Sequence, residues 1–327
     1  MGLGLLKNGN WVSEREQEDS QGKFIRPSTT FRHKITADGS SGFKAESERY
    51  HLYISWACPW AHRTAIMRRL KGLEDIIGLS VVAPEIEQNG WEFSQEPDCI
   101  PDTVNGTCYL WEVYLKADPK YSGRVTIPVL WDKATARIVN NESREIIRML
   151  DTEFSTFAKP DNGNFYPDDL RSVIDQTIDA IYQPINNGVY RAGFATTQSA
   201  YEEAVTELFE ALDHWEAVLQ QQRYLCGDRI TEADWCMFTT LFRFDAVYYV
   251  HFKCNLRRIV DYPNLWNYLK ELYQLPGVKE TCNLDQIKRH YYKSHPKVNP
   301  TRIVPKGPII NFEAPFDRYR LGVVAKV

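Results

Sequence analysis

Between residues 50 and 150 the apolar positions change their period several times. Tyr50 to Trp56 (YHLYISW) is a dense β-branched and aromatic run, which predicts a strand. Ala57-Cys58-Pro59-Trp60 follows, and Pro59 suits the first position of a helix, where a missing N–H costs nothing. Ala61, Ala65, Ile66 and Leu70 then share one helical face, and Gly72 can serve as the C-terminal cap. Ile76 to Val82 is a second apolar strand, completing a βαβ unit. Residues 84 to about 122 interrupt the pattern with an aromatic and acidic insertion broken by Gly and Pro. Val125 to Trp131 then predicts a strand, Arg137 to Val139 a short partner, and Asn140 or Asn141 a cap for a helix with Ile146, Ile147 and Leu150 on one face.

The order βαβ, then ββα, is that of the thioredoxin fold. A proline inside an apparent central strand normally argues against the strand. In a thioredoxin-like domain that position holds a cis-proline facing the active-site thiol, so Pro128 becomes support for the assignment. From about Pro167 the pattern turns helical. Tyr201, Val205, Leu208, Leu212, Trp215 and Leu219 form one face of a long helix. Thr231 and Asp234 suit a capping box, with Ile230 stapled onto Trp235, and Pro263 to Tyr273 is a shorter helix ended by Pro276-Gly277. The expected organisation is an irregular extension (1–45), an α/β thioredoxin-like domain (46–155) with its insertion at about 84–122, an all-α domain (165–292), and an extended tail (293–327) carrying prolines at 296, 300, 305, 308 and 315.

Length and composition narrow the class. A chain of 327 residues fits two domains. A net charge of −4 offers no basic field for nucleic acid or an anionic membrane. No apolar run reaches the roughly 20 residues of a membrane span, and the N-terminal stretch has no secretory apolar core. Seven cysteines, an odd number without any C-x-x-C pair, suit a reduced cytoplasmic protein and give no zinc site. No spacing of His62, His214, His251, His290 or His295 indicates metal ligands. The nine Trp and eighteen Tyr would suit a protein that handles flat aromatic ligands as well as a large core.

The chemistry converges on Cys58. A cysteine at a strand–helix junction meets the helix dipole and free N–H groups, which favour the nucleophilic thiolate. A dithiol reductase would place a second cysteine three residues on, where Ala61 stands. A lone thiolate forms a mixed disulfide that an external thiol must resolve, and glutathione is the obvious one. Glu142 and Ser143 open a helix after the β-hairpin. A serine hydroxyl with backbone N–H groups suits a carboxylate, and Glu142 an α-amino group, which together fit the γ-glutamyl end of glutathione. Ordinary helix capping would explain the same pair. Trp91, in the polar insertion, is placed to flank the thiol site, and His290-Tyr291-Tyr292 reads as packing or as a site wall.

Taken together these motifs resemble the glutathionyl-hydroquinone reductases, the xi-class glutathione transferases. The resemblance is carried by Trp56-Ala57-Cys58-Pro59-Trp60-Ala61-His62-Arg63, Gly90-Trp91, Val125 to Asp132, Asn140 to Ser143, Asn187 to Ala195, Arg243-Phe244-Asp245 leading to Tyr248, Phe252 to Asn255, and His290 to Tyr292. It implies a glutathione-transferase-like homodimer in which Cys58 attacks the sulfur of a glutathionyl-hydroquinone and a second glutathione releases oxidised glutathione. It implies that Trp91, Arg124, Val125, Thr126, Ile127, Pro128, Glu142 and Ser143 bind glutathione. Tyr190 would exchange a proton with the hydroquinone, and Tyr248 and Tyr291 would keep the Cys58 thiol acidic. Phenol hydroxyls bonded to a thiolate do favour the charged form, and aromatic rings can stack on a quinol.

Two alternatives share parts of this pattern. An omega-like thioltransferase or dehydroascorbate reductase would use Cys58 on another acceptor. A non-catalytic dimerisation module would use the fold alone.

Overall fold

The computed structural model describes residues 4–13, 18–159 and 163–322. The parts of the expected N-terminal extension and tail that fall on 1–3, 14–17 and 323–327 lie outside the described residues. Two compact units emerge, each made of segments distant in sequence.

The first unit takes residues 1–16, 27–162 and 281–304. Its core is a four-stranded sheet in the order β4-β3-β6-β7: β3 (Tyr50–Ile54), β4 (Gly78–Val81), β6 (Val129–Asp132) and β7 (Arg137–Asn140). β3 and β4 run parallel, while β6 lies antiparallel to both β3 and β7. That is the pairing expected from the βαβ-then-ββα order. Helix α1 (Pro59–Leu70) ends as its sequence suggests. Lys71 is the cap residue and Gly72 follows with φ of +66°, the left-handed conformation that closes a helix most cheaply with glycine. α1 is buried on nearly all sides, more than a single apolar face would require. α3 (Ser143–Thr152) buries Ile146, Ile147 and Leu150 as expected.

Three features of this unit depart from the sequence reading. The apparent strand Val125 to Trp131 is split: β5 (Gly123–Arg124) belongs to another sheet, and β6 starts only after the cis Ile127–Pro128 bond. The N-terminal extension is not wholly irregular. β1 (Leu5–Lys7) and β2 (Asn10–Val12) form a hairpin that pairs with β5 in a sheet ordered β2-β1-β5. Its two-residue turn is Asn8-Gly9, with φ of 47° and 79°, which suits a type I′ hairpin. The insertion also holds a helix, α2 (Leu110–Ala117). Glu112 caps it by accepting the N–H groups of Tyr109 and Cys108 at 2.7 and 2.8 Å.

The second unit takes residues 17–26, 163–280 and 305–327. It contains α4 (Arg171–Ile181), α5 (Gly188–Gly193), α6 (Gln198–Gln221), α7 (Glu232–Arg243), α8 (Tyr249–His251) and α9 (Pro263–Tyr273). α6 buries Val205, Leu208, Leu212, Trp215 and Leu219 as expected, while Tyr201 stays partly exposed. Asp234 accepts the Thr231 N–H at 2.7 Å, the return half of the capping box. Two π-helical turns, Tyr182–Asn186 and Phe244–Tyr248, break the helical ladder before α5 and α8.

α10 (Leu284–Ser294) corrects the expected boundary at 292. It lies in the stretch 281–304 that joins the first unit, because its polar side chains bond to the insertion. Among the described residues, the tail beyond it has no regular structure except a 3₁₀ turn at Arg318–Leu321. It is anchored as well as extended. Arg318 is fully buried and donates to the carbonyls of Leu219, Gln222 and Arg223 at 2.5 to 2.7 Å, closing the C-terminal end of α6.

Candidate active site

In the first unit the polypeptide brings Cys58 to the mouth of α1. Cys58 is the residue immediately before the helix, with extended φ and ψ of −78° and 121°, and Pro59 follows at the first helical position. Its side chain does not cap the helix. Instead the thiol donates to the Ile127 carbonyl, with sulfur and oxygen 3.6 Å apart. The expected neighbour of the thiol, the segment ending in cis Pro128, is therefore in contact with it. Cys58 is buried, with 8% of its surface exposed. Burial pushes the thiols of Cys99, Cys226 and Cys254 up, which favours their neutral, unreactive form.

The segment before Pro128 is fixed from behind. Burial pushes the Tyr114 phenol up to about 12, so it stays protonated. Its hydroxyl donates to the Thr126 carbonyl at 2.8 Å and accepts the Thr126 N–H at 3.1 Å. Both backbone groups of Thr126 are thereby engaged within the protein. Asn141 Nδ2 reaches the Tyr114 hydroxyl and Thr126 Oγ1 at 3.1 and 3.2 Å, and Asn141 Oδ1 accepts the Phe31 N–H. Val125 and Ile127 are almost fully buried, and Arg124 pairs as a strand residue with Leu5.

Glu142, rather than Asn140 or Asn141, is the cap of α3. Its Oε1 accepts the Arg144 N–H at 3.3 Å, and its Oε2 accepts the Thr29 hydroxyl at 3.3 Å. Asn140 is spent elsewhere: its Oδ1 accepts the Glu142 N–H and its Nδ2 reaches the His33 carbonyl and Glu145. A loose cap of this kind leaves the Glu142 carboxylate only half-buried, and Ser143, buried, occupies the first turn.

Trp91 lies in the insertion, and its position is held on several sides. Gly90 has φ of +77°, and a Cβ there would come within 2.8 Å of the Trp11 ring, so only glycine fits. Trp11, on the N-terminal hairpin, donates its indole N–H to the Gln88 carbonyl at 2.9 Å. The Trp91 carbonyl accepts the Leu110 N–H at the start of α2. Its indole ring stacks on His290 of α10. Tyr291, the next residue, is buried with its ring against His290 and His295.

Tyr190 and Tyr248 belong to the second unit, where they meet each other. Tyr190 sits in α5 just after one π turn, and Tyr248 closes the other. Their ring centroids are 6.0 Å apart, and Phe252 lies 5.5 Å from Tyr190 and 5.6 Å from Tyr248. π turns recur at functional sites because they displace a side chain that a regular helix would hold in register. Arg26 stands 4.7 Å over the Tyr190 ring, and its Nε donates to Asn187 at 2.7 Å. Asp245 accepts the N–H groups of Ile259 and Val260 at 2.6 and 3.1 Å, so its part in the motif is structural.

Trp11, Arg26 and Tyr114 are supporting residues with no expected role in the sequence, while Asn141 is expected there only as a helix cap and His290 as packing or a site wall. The Asn8-Gly9 pair between Leu6 and Trp11 was the readable signal for the hairpin that carries Trp11. The others depend on contacts between segments far apart in the chain. Among the described residues no group of three or more His, Cys, Asp or Glu side chains could hold a metal ion.

Comparison with known proteins adds to this geometry. Residues 57–153 match the family model of the glutathione S-transferase N-terminal domain, and residues 198–271 that of the C-terminal domain. The chain is 49% identical to the glutathionyl-hydroquinone reductase YqjG of Escherichia coli, over 97% of this chain and 98% of that protein. The glutathione-bound structure of YqjG superposes with a TM-score of 0.89, covering 96% of this chain and 99% of that one. The glutathionyl-hydroquinone reductase PcpF of Sphingobium chlorophenolicum is 52% identical, over 94% of this chain and 96% of PcpF. A xi-class glutathione transferase from Natrialba magadii has a TM-score of 0.92 at 52% identity, covering 98% of this chain and 97% of that one.

Proposed function

This chain belongs to the glutathione transferases, in the branch of the glutathionyl-hydroquinone reductases, and from that membership we propose the site and steps by which it reduces S-glutathionyl-hydroquinones. The observation that carries the reading is a single thiol at the start of α1, 3.6 Å from the carbonyl that precedes cis Pro128, with Ala61 where a resolving cysteine would stand. The N-terminus of α1 favours a thiolate at that point.

The Cys58 thiolate attacks the glutathione sulfur of the substrate. A sulfur–sulfur bond forms, the bond from sulfur to the aromatic carbon breaks, and that carbon takes a proton as the hydroquinone leaves. Tyr190 supplies the proton. A second glutathione then attacks the mixed disulfide as its thiolate, releasing oxidised glutathione and regenerating Cys58. The aromatic carbon is reduced and two glutathione sulfurs are oxidised, so no metal or further redox group is required. Glu142 meets the α-amino group of the bound glutathione and Ser143 its adjacent carboxylate. Trp91, Arg124 and the Val125 to Pro128 segment hold the rest of the tripeptide. Tyr248 and Tyr291 keep the thiol acidic.

The same proposal includes a cytoplasmic homodimer. Seven cysteines outside any disulfide support a reducing compartment, and among the described residues no helix is long and apolar enough to cross a membrane. Turnover of glutathionyl-menadiol, dehydroascorbate and a simple mixed disulfide by one preparation tests the reading. The proposal expects the quinol thioether to have the highest kcat/KM. Preference for dehydroascorbate or the mixed disulfide would favour the omega-like activity instead.

A further inference from the structure

We propose that His290 is the positioning residue for Trp91, setting the plane of the indole and through it the affinity for glutathione. The proposal rests on the reading that Trp91 touches glutathione. The two rings lie almost parallel, 12° apart with centroids separated by 5.1 Å. Parallel aromatic rings at this distance favour a defined mutual orientation. The imidazole is itself fixed. Its Nδ1 lies 2.7 Å from the Pro84 carbonyl, which can only accept, so Nδ1 carries a proton. Both residues are about 6% exposed, which shields the hydrogen bond from water.

The helix that carries His290 is fastened to the insertion that carries Trp91. Arg289 bonds to Glu85 and Glu96 at 2.9 and 2.7 Å, and Lys293 bonds to Glu85 at 2.7 Å. Ser294 accepts the Ile86 N–H at 2.8 Å. These contacts flank His290 along α10 and hold residues 85–96 against it. His290 thus stacks on Trp91 from a helix whose register the ion pairs fix. The Trp91 ring would lose its reference plane without it, while the thiol at the start of α1 would keep its own backbone contacts.

The test is a glutathione titration by calorimetry in the full-length Cys58→Ser protein, with His290→Ala, Trp91→Ala and both together. The expected result is a loss of affinity of about 3- to 10-fold for His290→Ala, a loss for Trp91→Ala, and no further loss on adding His290→Ala to Trp91→Ala. In the Cys58-containing enzyme, His290→Ala leaves the pH profile of Cys58 alkylation by iodoacetamide unchanged. That second readout separates a route through Trp91 from one through Tyr291, whose ring lies 5.0 Å from His290. If the alanine variant melts early, His290→Gln in the same cycle fills the space without a ring. Equal losses in both backgrounds, no loss from His290→Ala beside a clear loss from Trp91→Ala, or a displaced alkylation profile would each overturn the proposal. Unchanged affinity in Trp91→Ala would instead remove the reading of Trp91, and the proposal with it.

Discussion

The two sides of the candidate site in the first unit are built by different means. On one side, Cys58 and cis Pro128 stand at the ends of elements of the β4-β3-β6-β7 sheet, and Glu142 opens the helix after it. Sheet hydrogen bonds and helix ends place these residues, and the Tyr114, Asn141 and Asn140 side chains brace Thr126 and the Glu142 backbone beside them. On the other side, Trp91 stands in an insertion and is held by side chains, through Trp11 at one end of the chain and α10 near the other. The Glu85–Arg289 and Pro84–His290 contacts join residues 204 and 206 positions apart. A side built on backbone ladders moves only if the sheet moves. A side built on ring stacking and half-exposed ion pairs can be loosened while the sheet stays intact. The first arrangement suits chemistry, which needs a fixed nucleophile, and the second suits adjustable binding.

Substitutions should separate the two sides. Cys58→Ser should lower reductase turnover by about 10³-fold or more with an unchanged melting temperature, because it removes the nucleophile and little volume. Asp132 anchors the sheet: it is fully buried and receives Arg49 Nε and Nη2 at 2.8 and 2.7 Å. Burial raises its pKa, but the hydrogen bonds from Arg49, Thr135 and the Ala134 N–H outweigh burial, and the net shift is downward. A depressed carboxylate contributes stability above its unfolded pKa of about 4 and loses it as pH falls through the folded value. Asp132→Asn should therefore cost about 2 kcal/mol at neutral pH and flatten the acid limb of stability, as read by urea unfolding from pH 7 to 3. Glu142→Gln should weaken glutathione binding about 10-fold with little effect on melting, since it removes the charge proposed to meet the α-amino group. Glu85→Gln, which weakens two ion pairs of the α10 clamp, should reduce glutathione affinity about threefold and speed amide exchange over residues 84–97. Faster exchange in the sheet strands of that last variant would break the distinction between the two sides.

The legibility of each side in the sequence follows from the same difference. The run YHLYISW, the Cys-Pro step, Gly72 and the helical face Ile146, Ile147 and Leu150 are local signals, and each element they predict is present. Pro128 broke the strand pattern locally, and the structure puts its cis bond immediately before β6. The cap of α3 falls one or two residues after the expected Asn140 or Asn141, which are good capping residues by type, yet their side chains are taken by His33, Glu145, Tyr114 and Thr126. No local rule states that competition. The hairpin at Asn8-Gly9 was readable and overlooked, since polar flanking sequence masked three-residue strands. The partnership of Trp91 with His290 was not readable at all. His290-Tyr291-Tyr292 has helical chemistry, but nothing near it names a partner 199 positions upstream.

The central claim concerns one sulfur. A single turnover of glutathionyl-menadiol by the wild-type protein, without free glutathione, followed by intact mass and peptide mapping, tests it most directly. The account predicts one glutathione bound through a reducible disulfide on Cys58, with an equal amount of menadiol released. Release of menadiol with Cys58 unmodified, or a glutathione adduct on another cysteine, would contradict it.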